Sequence, residues 1–150
     1  GFAEMYLNDV NVEKEIRTIE VSNYVSKVAE VSEVRAKLVE QQQQMGKDKG
    51  IVMDGRDIAT VVFPDAELKI FMTASAQTRA QRRFEELHQK GDSVSFDEVL
   101  KNVEERDYID THRDDSPLLK DKNAVEIDNS YLSREEQFDK VLNLVTTILG

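Results

Sequence analysis

Asp54, Arg56 and Asp57 crowd into four positions directly after the apolar run Ile51-Val52-Met53, with Gly55 between the first two. A short apolar run bounded by glycine reads as a buried strand of an α/β sheet. An Asp at the carboxyl end of such a strand faces the crevice where open α/β sheets bind ligands. A second set lies further on, where Arg106, Asp110 and Arg113 are spaced four and three apart and so share one helical face. Such a stripe can be a plain ion pair on a solvated helix, worth a few tenths of a kcal/mol. It can also meet a phosphate and a sugar together, because Arg forks suit phosphate oxygens and a carboxylate suits hydroxyls. A third set, Arg79, Arg82 and Arg83, falls within about one turn, with Glu85 and Glu86 near enough to neutralise it as an ordinary surface. Arginine clusters that follow sheet strands suit phosphoryl transfer, in which a protein mainly positions groups and cancels charge.

The bulk composition narrows the partners. Thirty acidic residues against twenty basic ones give a formal charge of −10, which opposes nucleic acid and anionic membranes. Phosphate must then be met by local arginines. There is no Cys, so disulfides and thiolate metal sites are excluded. His88 and His112 have no ligand spacing. No apolar run has the length of a membrane span, and no signal-peptide pattern opens the chain. A cytoplasmic protein of one domain, or one domain with a small appendage, is expected.

The elements that must carry these residues follow from patterning. Met5-Tyr6-Leu7 and Val10-Asn11-Val12 flank Asn8-Asp9 as a hairpin. Residues 21–30 read as a helix with Val21, Tyr24, Val25 and Val28 on one face. Ser32 is the expected N-cap of a helix over 33–45, bracketed at its end by Gly46 and Gly50. Strands are expected at 51–53, 68–72 and 124–128. Ser75 caps a helix over 76–89 that Gly91 stops. Capping boxes at Ser95/Glu98 and Ser133/Glu136 open helices over about 96–113 and from there to Leu149. The last presents Phe138, Val141, Leu142, Val145 and Ile148 on one face. Alternating strands and helices predict α/β with a parallel sheet.

Asp54-Gly55-Arg56-Asp57-Ile58-Ala59-Thr60-Val61-Val62-Phe63-Pro64-Asp65-Ala66 resembles the signature of bacterial cytidylate kinases, enzymes that phosphorylate CMP and dCMP. Ile16-Arg17-Thr18, Glu20-Val21-Ser22, Val25-Ser26 and Val34-Arg35 resemble that family's monophosphate-binding insert. Glu105-Arg106-Asp107, Asp110, Arg113 and Ser116-Pro117-Leu118 resemble its segment after the lid. The match runs from about Met5 to the end. It implies a P-loop nucleoside monophosphate kinase fold, with residues 1–26 part of the insert and 27–150 the core, including a lid at about 79–93. It implies ATP and Mg²⁺ as cofactors. It further implies that Ser26, Arg35 and Asp57 read the cytosine, Arg56 and Arg113 hold phosphate, and Arg106 and Asp110 lie at the sugar. Arg79, Arg82 and Arg83 would serve the ATP phosphates. Asp54 would hold a Mg²⁺-bound water, and with Arg56 and Arg113 would form the catalytic set. The chemistry agrees: a carboxylate accepts from cytosine's exocyclic amino group, which uracil lacks.

Two departures qualify the resemblance. Ala59 stands where the signature has Gly. More importantly, no G-x-x-x-x-G-K-[ST] occurs anywhere, and the family's first strand, which belongs between 51–53 and 68–72, is missing, leaving two sheet edges unpaired. The chain by itself is therefore expected to be inactive. The alternatives are a non-catalytic fragment that binds nucleotide weakly or self-associates, and a kinase for another nucleoside monophosphate.

Overall fold

Asn8 and Asp9 both take left-handed backbone conformations, φ 49° and 64°, which is the turn that the twist of a tight hairpin requires. They join β1 (Tyr6–Leu7) to β2 (Val10–Asn11), antiparallel, with Leu7 opposite Val10. The computed structural model describes residues 4–150, apart from the side chains of Ser26 and Leu149. A 3₁₀ turn at Glu15–Arg17 leads into α1 (Ile19–Val28), whose N-cap Thr18 accepts from the Val21 amide. The apolar stripe expected on α1 lies largely in solvent, and among the described side chains of α1 the buried one is Ser22.

Helix α2 (Ser32–Met45) begins one residue earlier than expected. Ser32 is not its cap: Val31 holds that position without a side-chain bond, and the Ser32 hydroxyl donates instead to Asp115. Asp115 is an acceptor on a distant loop, and binding it removes the hydroxyl from the helix terminus. At the far end, Gly46 faces the Phe63 ring so closely that a Cβ there would lie 2.4 Å from the ring carbon. A side chain at position 46 would have to displace the Phe63 ring.

Residues 51–53 do not form the expected strand. A strand is held by a neighbour that takes up its N–H and C=O groups, and none pairs with it among the described residues. Val52 is fully exposed. The following segment, Ile58–Val62, winds as a π-helical turn. The sheet accordingly has two strands rather than three: β3 (Ile70–Thr73) lies parallel to β4 (Val125–Asp128), with Met72 opposite Ile127. Parallel partners need a long crossover, supplied here by α3 (Ala76–Gln89) and α4 (Phe96–His112).

Those two helices make the core. Ala80, Leu87 and Val99 are completely buried between them, with Phe84, Val94, Phe96, Leu100 and Val103 packed around. Phe84 and Phe96 meet edge to face at 6.1 Å between ring centres, a favoured aromatic geometry. Both expected capping boxes are formed, Ser95 with Glu98 on α4 and Ser133 with Glu136 on α5 (Arg134–Leu149). The apolar face of α5 stays mostly open, Phe138, Leu142 and Ile148 included, because a two-stranded sheet offers too little surface to cover it.

Candidate functional site

The Asp57 carbonyl accepts from three successive amides, those of Thr60, Val61 and Val62, at 3.3, 2.8 and 3.2 Å. The π turn thus clamps the backbone of the Asp-Gly-Arg-Asp segment, and single π turns recur at functional sites. Ala59 sits within the turn without a left-handed backbone, so an alanine is accommodated where the signature has glycine. Fixed this way, the buried Asp57 carboxylate receives Nη2 of Arg35 from α2. Arg35 Nη1 also reaches the Ala29 carbonyl at 3.3 Å, while its Nε is buried without a partner.

Beside this pair, Asp110 of α4 gathers two cations. Arg56 Nε donates to its Oδ2 at 2.8 Å, and Arg113 Nη1 lies 3.5 Å from its Oδ1. Arg113 ends α4, and its Nε and Nη2 both donate to the Ser116 carbonyl, at 2.9 and 2.6 Å. Ser116 is left-handed (φ 50°), and the Leu118 amide returns to the Asp110 carbonyl at 2.7 Å. The loop after α4 therefore wraps its own end and holds Arg113 against Asp110. Both are buried.

Arg106, one turn earlier, does not pair with Asp110. Its Nη1 donates to Ser22 Oγ at 2.9 Å, and its Nε is buried without a partner. Burial disfavours the charged form of Arg106, the neighbouring Arg56 adds to this, and Asp110 opposes it. Burial does the same to Arg113, assisted by Arg35 and opposed by Asp110 and Asp57. Guanidinium stays protonated in proteins regardless, so the strain is one of desolvation and repulsion, which an anion relieves.

The cluster thus joins Arg35, Arg56, Asp57, Arg106, Asp110 and Arg113 from α2, the clamp, α4 and the loop behind it. Four cations face two carboxylates, an excess of two positive charges in a chain of net charge −10. Three sequence-predicted residues on α3 are engaged separately. Arg79 forks onto Asp107 (2.8 and 2.6 Å), which raises its proton affinity through that hydrogen bond. Arg82 binds the side chain and carbonyl of Asn129 at 3.1 and 2.7 Å. Arg83 bonds Glu86 and the Arg17 carbonyl. Of the two acids expected to neutralise this group, Glu86 does so and Glu85 instead accepts from Gln81. Asp54 is exposed. The side chain of Ser26 lies outside the described residues.

Sequence reasoning missed two buried polar members, Ser22 and Asn102. A signal was available: Asn102 stands four residues before Arg106 and extends the same stripe, and Ser22 stands four before Ser26.

The family model for cytidylate kinase matches residues 1–147. The chain belongs to the cytidylate kinase family. Its fold class is that of the P-loop nucleoside monophosphate kinases, of which the parallel β3–β4 pair with its flanking helices is a part. Cytidylate kinase of Flavobacterium psychrophilum is 78% identical over 148 residues, covering 99% of this chain and 66% of its own length. That of Flavobacterium johnsoniae is 76% identical over 149 residues, covering 99% and 65%. That of Bacteroides thetaiotaomicron is 60% identical over 137 residues, covering 91% and 60%. The chain therefore spans just under two thirds of the length of these cytidylate kinases. No helix among the described residues is long and apolar enough to cross a membrane.

Proposed function

We propose that the complete protein transfers the γ-phosphoryl group of ATP to CMP and dCMP in the cytoplasm. The observation that carries this reading is the paired cluster: a carboxylate–guanidinium pair, Asp57 with Arg35, beside a second carboxylate, Asp110, flanked by Arg56 and Arg113. With Arg106 counted beside them, the four arginines exceed the two carboxylates by two positive charges, which matches the dianionic phosphate of a nucleoside monophosphate.

Each group has a task suited to its chemistry. Asp57 accepts from the cytosine amino group and Arg35 donates to the ring acceptors, with Ser26 as a third contact. Arg56 and Arg113 hold the monophosphate. Arg113 is fixed in place by the Ser116 carbonyl, whereas Arg56 is partly exposed and uses only Nε among the described residues. Asp110 and Arg106 take the sugar. The acceptor phosphate oxygens are already anionic, so the reaction needs orientation and charge cancellation rather than a strong base. Residues 1–26 contribute to the insert that receives the monophosphate and 27–150 to the core. Residues 79–93 act as a lid that brings Arg79, Arg82 and Arg83 over ATP.

Mg²⁺ fits this scheme in a limited way. The described residues contain no group of three His, Cys, Asp or Glu side chains able to hold a metal. Mg²⁺ is usually carried by substrate phosphates with one or two carboxylates, and the exposed Asp54 can supply one through a water. The ion adds charge neutralisation at the phosphates.

The test is phosphorylation of CMP, dCMP and UMP by the complete protein with Mg-ATP, for the wild type and Asp57→Ala. Efficient use of CMP, and a loss in Asp57→Ala larger for CMP than for UMP, support the reading. Equal losses overturn the base assignment, and absence of turnover with CMP overturns the function.

A further inference from the structure

Asn102 lies in the middle of α4 and is only 8% exposed, as is Ser22 on α1. Asparagine is a mediocre helix former, and an amide kept from water costs free energy unless it is hydrogen-bonded. Here the hydrogen bonds form one directed chain. Arg106 Nη1 donates to Ser22 Oγ at 2.9 Å, Ser22 Oγ donates to Asn102 Oδ1 at 2.9 Å, and Asn102 Nδ2 donates to Asn23 Oδ1 at 2.6 Å. Every donor points the same way. The Ser22 hydroxyl spends its single proton on Asn102 and so presents only lone pairs to Arg106.

From this geometry we infer that Ser22 and Asn102 are positioning residues that hold the Arg106 guanidinium at the sugar side of the site. The inference rests on the proposed role of Arg106 in monophosphate binding. Arg106 has a long flexible stem, no partner for Nε, and no bond to Asp110. Ser22 is the one side chain it bonds among the described residues, so the orientation of its fork depends on that contact. Asn102 acts on Arg106 only through Ser22, by fixing which way the hydroxyl proton points. Because Ser22 and Asn23 belong to α1 and Asn102 and Arg106 to α4, the relay also links the segment carrying Ser26 to the helix carrying Asp110.

The test uses the complete protein with Ser22→Ala, Ser22→Thr and Asn102→Ala. A hydrogen bond to a charged group is worth roughly 1.5–3 kcal/mol, which corresponds to a rise in KM for CMP of about ten- to a hundredfold in Ser22→Ala. The KM for ATP should be unchanged, and kcat should stay within about threefold. Ser22→Thr, which keeps the hydroxyl, should restore the KM. A purely structural role would move both substrates' constants together with thermal stability and would not be rescued by threonine. An independent readout is the ¹⁵N guanidinium spectrum, with Arg106→Lys identifying the signal. Slow rotation about the Arg106 Cζ–Nη bonds is expected in the wild type and in Ser22→Thr, and fast rotation in Ser22→Ala and Asn102→Ala. An Arg106 signal insensitive to all three substitutions overturns the relay, even if CMP is the substrate. A wild type that does not turn over CMP overturns the functional reading, while the spectrum still decides the relay.

Discussion

The Asp57 carboxylate and the Arg35 guanidinium are paired across 22 residues of sequence, with side chains only 7% and 11% exposed. Removing one member of a buried pair strands the other. Asp57→Ala should therefore destabilise the protein by about 3–5 kcal/mol, read as a shift in the urea midpoint at constant m-value. Arg35→Met combined with Asp57→Ala should recover part of that loss. A double variant no more stable than Asp57→Ala alone would mean that the pair is not the source of the effect.

Arg113 is buried and already satisfied on one side by the Ser116 carbonyl, so its remaining capacity faces Asp110 and the proposed phosphate. Arg113→Ala in the complete protein should lower kcat by about a hundredfold or more, the loss typical of removing a preorganised charge from phosphoryl or acyl transfer. Steady-state kinetics under saturating CMP measures it. A change confined to KM would assign Arg113 to ground-state binding alone.

The helix caps give a pH dependence. Glu98 is held below its ordinary range first by the Ser95 amide and then by the Ser95 hydroxyl, and Glu136 likewise by Ser133. A carboxylate whose folded pKa is depressed stabilises the fold above its unfolded value, about 4.3, and loses that contribution as pH falls through the folded value. Urea midpoints should fall as the pH is lowered from about 5 towards 3. Glu98→Gln combined with Glu136→Gln should flatten the slope and lower the midpoint at neutral pH. A slope unchanged by both substitutions would exclude the caps as its source.

Leu87 is completely enclosed between α3 and α4. Leu87→Ala should cost about 2–5 kcal/mol through lost burial and the cavity left behind, measured by thermal or urea unfolding. The same interface sets the position of Arg106 and Asp110 along α4, so CMP affinity should fall as the helix pair loosens.

Much of this arrangement was legible where local chemistry decides. Ser95 with Glu98 and Ser133 with Glu136 are short-range signals, and both boxes form at the expected residues. The hairpin turn at Asn8-Asp9 is of the same kind. The stripe Arg106, Asp110, Arg113 was readable from helical spacing, and its place in one site with Asp57 and Arg56 came from the family resemblance. What local pattern could not show is which distant group wins. Ser32 had the credentials of a cap but was drawn off by Asp115, and Asp110 took Arg56 rather than Arg106. Ile51 to Met53 had strand composition, yet a strand exists only with a neighbour, and none pairs with it among the described residues. The inward turn of Ser22, against the apolar stripe beside it, follows from the needs of Asn102 and Arg106, eighty and eighty-four residues away.

Those separations carry a consequence for how the molecule comes into being. The bonds that define the cluster close loops of 22, 54, 80 and 84 residues. Each closure costs chain entropy before any contact repays it. Helices and caps can form while the chain is still emerging from the ribosome, but the arginine cluster cannot close until α4 has been synthesised. Its completion is thus a late event that certifies the rest, and a defect anywhere between Ser22 and Ser116 should be felt first as a disordered cluster rather than as lost helix.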